Sequence, residues 1–404
     1  MKNKRVFIFL CIILSVFLTG CINARELDQL GISLVMGLDI ENGKILLTAE
    51  IVDPSYTTES VSAVQGSSVK YVQGTGNTIF EALRDITLKF DRRIYRAHNK
   101  VLIFGEEIAK RGLVTHMDEL FRNREQRESS YVLIAKGAKA YEVMGVSNSL
   151  ESIPADYILD MIENVKYNPK AININIIDFL KHYYHAGHHP IAGVIEKIKR
   201  NDITEGQEST GTPGYELTII GSAVFREDKL IGYLDGNETK SLNFIMNNIK
   251  GSIITFPIHL PSQGAQSDLH NQNLSSVIVI KSKTKNDVEI KGDRLVLKTK
   301  INLKTSLGEL GGEIDISKDG NLAKIEEACS ATVKENIKAA VKKVQNEYGI
   351  DIFGFGLIFH RKYPKQWEEI KDNWDEVFSD ADFEIEVETH IIRTGLINKA
   401  PTIE

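Results

Sequence analysis

Cysteine is nearly absent from this sequence, which has three in 404 residues, at positions 11, 21 and 329. A disulfide framework or a cysteine-based metal site needs a larger, regularly spaced set. Two of the three lie in the N-terminal segment considered below, which leaves Cys329 alone in the body of the chain. The core is therefore expected to depend on the packing of apolar side chains, which make up 42% of the residues.

An excess of positive charge is also missing, because 49 basic residues face 55 acidic ones and the formal net charge is −6. Proteins that bind nucleic acid cluster Lys and Arg against the phosphates. An acidic chain is a poor candidate for that class, so we expect no nucleic acid partner.

A run long enough to span a membrane is lacking as well. The longest apolar segment, Val6 to Phe17, has about 12 residues, whereas a spanning helix needs about 20. It lies between a basic start and Leu18-Thr19-Gly20-Cys21, which is the layout of a secretory signal. We expect residues 1–20 to be removed, which leaves 384 residues with a formal net charge of −9, since the signal holds three basic residues and no acidic one.

The segment Leu18-Thr19-Gly20-Cys21 matches a bacterial lipobox. Small residues before the cysteine give the peptidase access, and the Cys21 thiol is predicted to carry a diacylglyceryl group, followed by an N-acyl chain such as palmitate. Two or more acyl chains anchor a protein stably in a membrane, whereas one chain alone would bind only marginally. An ordinary secreted protein with a cysteine at the cleavage point is the alternative. Cys21 is the one residue to which the sequence assigns a chemical role.

Motifs of the common hydrolases are absent: the chain contains neither Gly-x-Ser-x-Gly nor His-Glu-x-x-His. Gly74-Thr75-Gly76 precedes a predicted helix at Ile79 to Phe90, capped by Asn77 or Thr78. It lacks the third glycine and the Lys-Ser/Thr pair of a phosphate-binding loop. We therefore predict a non-enzyme with no catalytic, cofactor-binding or metal-binding residues.

The N-terminal half alternates short strands with helices. Two apolar runs flank Glu41-Asn42-Gly43 and predict an opening β-hairpin, because Asn and Gly tolerate positive φ. Later strands are predicted at Val69 to Gln73, Val101 to Gly105, Tyr131 to Ala135 and Ala192 to Ile198, with helices between them. This spacing is typical of α/β or α+β layers.

Several short pieces of this half, in their order and spacing, resemble the Ger(x)C family, the C subunits of nutrient germinant receptors of spore-forming bacteria. After the lipobox come Gly37-x-Asp39, Ile51-Val52-x-Pro54, Gly74 with Ile79 and Ala82-Leu83, His98-x-Lys100-Val101-Leu102-Ile103, Gly105-Glu106-x-x-Ala109-x-x-Gly112-Leu113 and Arg124-Glu125-x-Arg127. The ending Ile392-Arg393-x-Gly395 extends the resemblance to nearly the whole mature chain.

Four of the ten histidines lie close together, at positions 182, 185, 188 and 189. His182 and His185 would share a helix face, since a helix is predicted from Ile172 to Tyr184. Such a cluster could bind zinc or nickel. Because Gly187 and Pro190 indicate a helix end and no carboxylate stands at ligand spacing, capping or packing is the preferred interpretation.

Six arginines lie near two predicted connections: Arg92, Arg93, Arg96, Arg122, Arg124 and Arg127. A basic patch for phospholipid headgroups is one interpretation. The preferred one is a solvated face or ion pairs with Glu125 and Glu128.

The C-terminal half is predicted to contain a hairpin around Glu227-Asp228, a helix from Ser241 to Ile249, three strands between Ser276 and Leu307, and a long helix from Leu322 to Tyr348. The apolar stripe on this helix includes Cys329, which should be a buried small hydrophobe rather than a reactive thiol. The stripe favours packing on the helix's own sheet over docking of a partner helix. Period-two alternation at Phe383 to Glu388 predicts a strand buried on one side.

We predict an α+β (mixed α/β), multi-domain fold with mixed or antiparallel sheets, each packed with helices, and a long helix in the C-terminal domain. The polar stretch Arg200 to Gly214 indicates the main boundary. The expected divisions are a signal at 1–20, an N-terminal domain at 21–205 and a C-terminal region at 206–400, with a further split near 265–275 as an option.

The resemblance implies a lipid-anchored, non-catalytic scaffold or signal-coupling subunit on the outer face of the spore inner membrane, required for nutrient-triggered spore germination. Its partners would be the integral membrane A-type and B-type receptor subunits. The family has no agreed catalytic residues that could be carried over to this chain. A solute-binding lipoprotein of a membrane transporter is the main alternative, and it would need two doubly wound lobes; an envelope hydrolase is a weaker one.

Overall fold

The computed structural model describes Lys4 and residues 29–52, 69–122, 126–146, 153–199, 214–258, 274–311 and 314–395. In these ranges the chain forms two β-sheets, each packed with helices. This confirms the predicted α+β class with mixed sheets.

The first sheet is built from nine of the described strands: β1 (Leu30–Glu41), β2 (Lys44–Val52), β3 (Val69–Gly76), β4 (Arg93–Tyr95), β5 (Val101–Gly105), β6 (Tyr131–Lys136), β7 (Ile191–Lys199), β8 (Tyr215–Arg226) and β9 (Lys229–Leu234). Their order is β3-β2-β1-β5-β6-β7-β8-β9, and β4 pairs with β1 outside this path. The centre, from β1 to β7, is parallel and both edges are antiparallel.

The predicted opening hairpin is confirmed. β1 and β2 pair antiparallel up to Glu41 and Lys44. Between them Asn42 has φ 51° and Gly43 has φ 78°. Two positive φ angles in a two-residue loop define a type I′ turn, whose twist matches that of the flanking strands.

Helices cover both faces of the first sheet: α1 (Ile79–Ile86), α2 (Glu106–Arg111), α3 (Val114–Arg122), α4 (Ala140–Met144), α5 (Pro154–Asn164) and α6 (Ile176–Tyr184). On one face α4 and α5 enclose a small core with apolar side chains of β1, β5 and β6. The other helices lie on the opposite face, whose apolar residues belong to the same cluster as the core of the second sheet. The two sheets therefore share one continuous core.

The second sheet has the order β10-β11-β12-β13 among the described strands: β10 (Ser252–Pro257), β11 (Leu274–Lys291), β12 (Arg294–Glu309) and β13 (Asp382–Arg393). Between residues 276 and 307 the prediction of three strands was wrong, because β11 and β12 form one long hairpin. Alternation continues through Asn286, and the chain reverses only at Gly292, where φ is 63°. The predicted alternating strand at the C-terminus is confirmed as β13, which pairs parallel with β12.

Helices of the C-terminal half are α7 (Gly236–Ile245), α8 (Asn321–Lys343), α9 (Phe355–Lys362), α10 (Pro364–Ile370) and α11 (Trp374–Asp380). The long α8 packs against β13, α7 and β10. It continues as a π turn, Val344–Tyr348, and ends at Gly349 in the left-handed region. The predicted stripe is buried at Ile325, Cys329, Val333, Ile337 and Val341, so the helix faces its own sheet as expected.

Two predicted helix starts were wrong for a local reason. α6 begins at Ile176, not Ile172, because the Asn175 side chain accepts a hydrogen bond from the Asp178 N–H (2.8 Å) and caps the helix there. α7 begins at Gly236 instead of Ser241, since the Asp235 carboxylate accepts from the N–H groups of the first turn. In both cases the cap outweighs the apolar periodicity.

β8 and β9, residues 215–234, complete the edge of the first sheet. They follow the predicted boundary at 205 in the sequence but belong to the N-terminal half in space. The division into domains stays a prediction.

Candidate functional site

Cys21, the predicted lipidation site, lies outside the described residues. Its acylation therefore stays a prediction. None of the helices in the described ranges combines the length and hydropathy that a bilayer crossing requires.

The predicted histidine cluster lies where the two sheets meet. We call the contact of residues 187–189 with residues 351–375 the sheet junction. His188 is buried, and its Nε2 lies 3.2 Å from the carbonyl oxygen of Ile352. A Cβ on Gly354 would lie 3.5 Å from the His188 ring, so the glycine backbone packs directly on the imidazole.

His189 is held in one tautomer. Its Nδ1 accepts a hydrogen bond from the Glu227 N–H (3.0 Å), so the ring proton of the neutral form is on Nε2. Nε2 then donates to the Asp375 carboxylate at 3.0 Å. The side chain thereby connects the β8–β9 turn to α11.

Asp351 organises the other side of the junction, and no sequence pattern predicted its role. Its buried carboxylate accepts hydrogen bonds from the N–H groups of Phe353 (2.9 Å), Gly354 (2.9 Å) and Gly356 (2.8 Å) and from the Trp374 indole (3.3 Å). Its carbonyl accepts from the His189 N–H at 2.8 Å. Burial raises the pKa of Asp351 to about 6, against the effect of these hydrogen bonds.

The rings of His182 and His188 lie against each other, with centroids 4.0 Å apart. In both side chains Nδ1 is buried and has no hydrogen-bond partner among the described residues. Burial lowers the pKa of His182 to about 4 and that of His188 well below its usual range, so both are neutral at pH 7. The described residues contain no group of three or more His, Cys, Asp or Glu arranged to hold a metal ion.

A glycine within the sheet junction and a tyrosine outside it also make contacts between the two halves of the chain. Gly187, at φ 75°, lies under Trp367, where a Cβ would approach the indole to 2.6 Å. The Tyr348 hydroxyl donates to the Tyr233 carbonyl (2.8 Å) and accepts from its N–H (3.1 Å). It thus pairs both backbone groups of Tyr233 on the free edge of β9, where they would otherwise lack a hydrogen-bond partner from a neighbouring strand.

Two buried carboxylates lie on the face of β1 and β2 that α4 and α5 cover. Asp39 accepts from the N–H groups of Ala140 (3.0 Å) and Tyr141 (3.3 Å), which caps α4. Glu50 accepts from the Ala155 N–H (3.0 Å) at the start of α5 and lies 3.0 Å from the Tyr71 hydroxyl. Burial raises the pKa of both, that of Glu50 to about 7.

The Tyr71 hydroxyl also lies 2.7 Å from the Met144 carbonyl oxygen. A hydroxyl has one proton, and the carbonyl can only accept. When Glu50 is protonated, it donates to Tyr71 and Tyr71 donates to Met144, so every group is satisfied. The geometry therefore fits the protonated form of Glu50.

A groove of about 950 Å³ separates α1 from α3 and is lined by Phe80, His116, Asp118, Glu119 and Arg122, among others. Phe80 is 51% exposed. The Arg84 guanidinium lies over its ring, with the central carbon 5.1 Å from the centroid. The charged residues of the groove are already paired, since Asp118 binds Arg122 and Glu119 binds Arg96.

The arginines do not form a uniform basic patch. Arg96 is 1% exposed and makes a bidentate pair with Glu119 at 2.8 and 3.0 Å. Arg122 pairs with Asp118 at 2.7 Å. Arg124 lies outside the described residues. A solvated face or ion pairing was the preferred interpretation; Arg96 and Arg122 are paired, with Glu119 and Asp118, and Glu125 lies outside the described residues.

The glycines before α1 are explained by packing. A Cβ on Gly74 would lie 2.1 Å from the Ala82 carbonyl oxygen, and one on Gly76 would lie 2.5 Å from the Ala82 nitrogen. They allow α1 to lie directly on β3. Thr78 is the helix cap, as predicted, and accepts from the Glu81 N–H at 3.1 Å.

Cys329 is fully buried, as predicted from its place on the stripe. Burial raises the pKa of its thiol to about 11, so it is a poor nucleophile at neutral pH.

Fold and junction together define a two-sheet α+β protein whose halves share one core. Two family models match the chain: "Spore germination protein N-terminal domain" at residues 23–197 and "Spore germination B3/GerAC like, C-terminal" at residues 220–395. Between them they account for most of the sequence. The chain belongs to the Ger(x)C family of spore germination proteins.

Similar proteins of known name agree. The chain is 29% identical to spore germination protein KC of Bacillus subtilis (strain 168), over 98% of each chain. It is 25% identical to spore germination protein B3 of the same organism, over 95% of this chain and 96% of that one. The crystal structure of the GerBC protein matches with a TM-score of 0.53 and 21% identity, covering 89% of this chain and 97% of that one, which shows the shared fold.

Proposed function

We propose that this protein is the lipid-anchored C subunit of a nutrient germinant receptor in the spore inner membrane, where it acts as a non-catalytic scaffold or signal-coupling subunit. The observation that carries the proposal is the match of both halves of the chain to spore germination family models. Relatives named as spore germination proteins align over nearly the full length of the chain.

The lipobox supports the placement at a membrane. Residues 22–29 separate Cys21 from Leu30, where β1 begins. Eight extended residues span at most about 30 Å. An anchor on Cys21 would therefore keep the first sheet close to the membrane surface, beside integral subunits of the A and B types.

The sheet junction supports a coupling role. Both sheets share one core, and the junction joins them through hydrogen bonds from His188 Nε2 to the Ile352 carbonyl and from the His189 N–H to the Asp351 carbonyl. Close-packed interiors transmit strain, so a partner bound to one half can affect the other. Catalysis is not part of the proposal, and no cofactor is invoked besides the lipid on Cys21.

Gene deletion tests the receptor role. Spores lacking the protein should lose germination triggered by at least one nutrient, and the wild-type gene should restore it. Normal germination with every nutrient, together with an uptake defect, would instead favour a solute-binding lipoprotein of a transporter.

Cys21→Ala tests the anchor. The variant should leave the membrane fraction during detergent-free fractionation, whereas Cys11→Ala, a matched change inside the predicted signal, should remain there. A Cys21→Ala protein that is still fully membrane-bound would contradict lipid anchoring.

A further inference from the structure

A small, partly open cavity of about 250 Å³ lies between α7, β10 and α8, and Lys170 lines it from the first half of the chain. Its polar side chains include Lys170, Lys240, Asn237, Thr255 and Asn336. No acidic residue is found among the described residues that line it. We call it the two-lysine cavity.

The position of Lys170 is fixed by its neighbours. The Asn243 side-chain amide donates to the carbonyls of Pro169 and Ala171, both at 2.9 Å, and the Gly221 N–H donates to the Lys170 carbonyl at 2.8 Å. A Cβ on Gly236 would lie 3.2 Å from the Lys170 Cβ. The backbone of residues 169–171 is therefore held against α7, the helix that also carries Lys240.

In the part of the chain that the structure describes, Lys240 has no counter-charge. Its Nζ donates to the Ile253 carbonyl oxygen at 2.5 Å, which uses one of three donors. Among the described residues neither Lys240 nor Lys170 forms an ion pair. The nearby acids are already engaged, because Asp235 caps α7 and Glu238 pairs with Lys343 at 2.9 Å.

Two like charges at one partly buried place are unfavourable unless an anion lies between them. Burial, and then the charge of Lys170, lowers the pKa of Lys240 to about 8, with the buried Cys329 acting in the opposite direction. A bound anion would offset both the burial of the Lys240 charge and its repulsion by Lys170. It would also accept hydrogen bonds from the remaining N–H groups of Lys240. The amide and hydroxyl groups around it supply further donors.

We propose that the two-lysine cavity binds a small oxyanion, either a carboxylate or a phosphate group, between Lys170 and Lys240. The bound anion would connect residues 169–171 of the first half to β10 and α8 of the second. This site is independent of the lipid anchor and of the receptor role.

Calorimetric titration of the full-length protein in detergent tests the site, with sodium phosphate in one arm and sodium acetate in the other, at constant low ionic strength in chloride. Saturable binding of one equivalent is expected in at least one arm. Phosphate alone would identify a phosphate-bearing ligand, and acetate alone a carboxylate. Absence of binding by either at millimolar concentrations would overturn the proposal.

Variants localise the binding. Lys240→Met should weaken it about tenfold or more, because it removes a charged hydrogen-bond donor. Lys240→Arg should retain most of the affinity, and Lys324→Met, an exposed lysine elsewhere on α8, should match the wild type. Unchanged binding in Lys240→Met, or an equal loss in Lys324→Met, would refute the assignment.

Thermal unfolding followed by circular dichroism shows whether each variant is folded. If Lys240→Met does not fold, Lys170→Met carries the test, since the Lys170 side chain is exposed and can be changed without disturbing the core. It should weaken binding severalfold, and full affinity in this variant would overturn the site.

Discussion

Charged side chains are used in opposite ways by the two sheets. In the first sheet Asp39 and Glu50 are buried and hold the N-terminal turns of α4 and α5. On the second sheet the outer face has exposed ladders, such as Lys300 with Glu386 and Glu388 at 3.0 and 2.9 Å. Buried carboxylates that accept backbone hydrogen bonds fix geometry, whereas exposed ion pairs contribute little to stability. We therefore expect the stability of the fold to depend on the buried charged side chains and not on the number of exposed ion pairs.

Asp351 offers the strongest test, because it is a buried carboxylate in the half that carries the exposed ladders. Asp351→Ala leaves three backbone N–H groups and an indole without an acceptor, so a loss of at least about 4 kcal/mol in the free energy of unfolding is expected. The two tryptophans, Trp367 and Trp374, pack together, and the Trp374 indole donates a hydrogen bond to Asp351. Tryptophan emission during urea unfolding therefore measures the change in the free energy of unfolding directly at this part of the fold.

Asp372→Ala, an exposed change between the two tryptophans, is the control for Asp351→Ala and should match the wild type. Asp39→Ala should be intermediate, since Asp39 accepts two backbone hydrogen bonds where Asp351 accepts three and an indole. An Asp351→Ala protein as stable as Asp372→Ala would break the distinction between buried and exposed charge.

Glu50→Gln tests burial in the first sheet through pH. Burial raises the folded-state pKa of Glu50 from its ordinary value of 4.5 to about 7, so its contribution to stability is full below about pH 4.5 and is lost as pH rises to about 7. The shift corresponds to about 3 kcal/mol at most. Glutamine reproduces the hydrogen bonds of the protonated acid, so this variant should equal the wild type at pH 4.5 and exceed its stability at pH 8.

Urea unfolding at the two pH values, followed by far-ultraviolet circular dichroism, measures this difference. Glu41→Gln, an exposed change at the end of β1, is the control and should leave the pH dependence unaltered. A Glu50→Gln protein with the wild-type pH profile would show that Glu50 is ionised in the fold.

Gly74→Ala tests packing without any charge. Its Cβ would lie 2.1 Å from the Ala82 carbonyl oxygen, so α1 must move away from β3. Overpacking of this kind destabilises by about 1–3 kcal/mol. Hydrogen exchange should show faster exchange in α1. Gly145→Ala, where the nearest atom is 3.6 Å away and φ is −76°, should show no such change.

Lys300→Gln should have the smallest effect. It removes two exposed ion pairs on the outer face of the second sheet. Urea unfolding should find a change smaller than that of Gly74→Ala. A loss as large as that of Asp351→Ala would mean that the ladder, despite its exposure, holds β12 and β13 together.

Prediction from the sequence succeeded where the signal is local. The Asn42-Gly43 turn, the cap at Thr78 and the stripe of α8 depend on residues within a few positions of one another, and all three are confirmed. It failed where a pattern continues past the expected end of an element, as in the long β11–β12 hairpin. It also missed α9, because the run from Phe353 to Phe359 is apolar on every side.

The missed site residues are of two kinds. Glu50 and Asp351 are acids that accept backbone hydrogen bonds within the fold, and Lys240 has no counter-charge among the described residues. An acid within the apolar strand Lys44–Val52 was a visible signal for Glu50. Lys170 and Lys240 are seventy residues apart, so no local pattern could bring them together.

The sequence by itself determined the class of fold and the family, because both follow from residue order over short distances. The tertiary structure decided which charges are buried, how the histidine segment meets Asp351 and which lysines share a cavity. Those properties depend on contacts between residues far apart in the chain, such as the hydrogen bond from His189 to Asp375, whose sequence separation is 186. Burial and hydrogen-bond partners arise only when the chain has folded, and with them the shifted pKa values and the proposed oxyanion site.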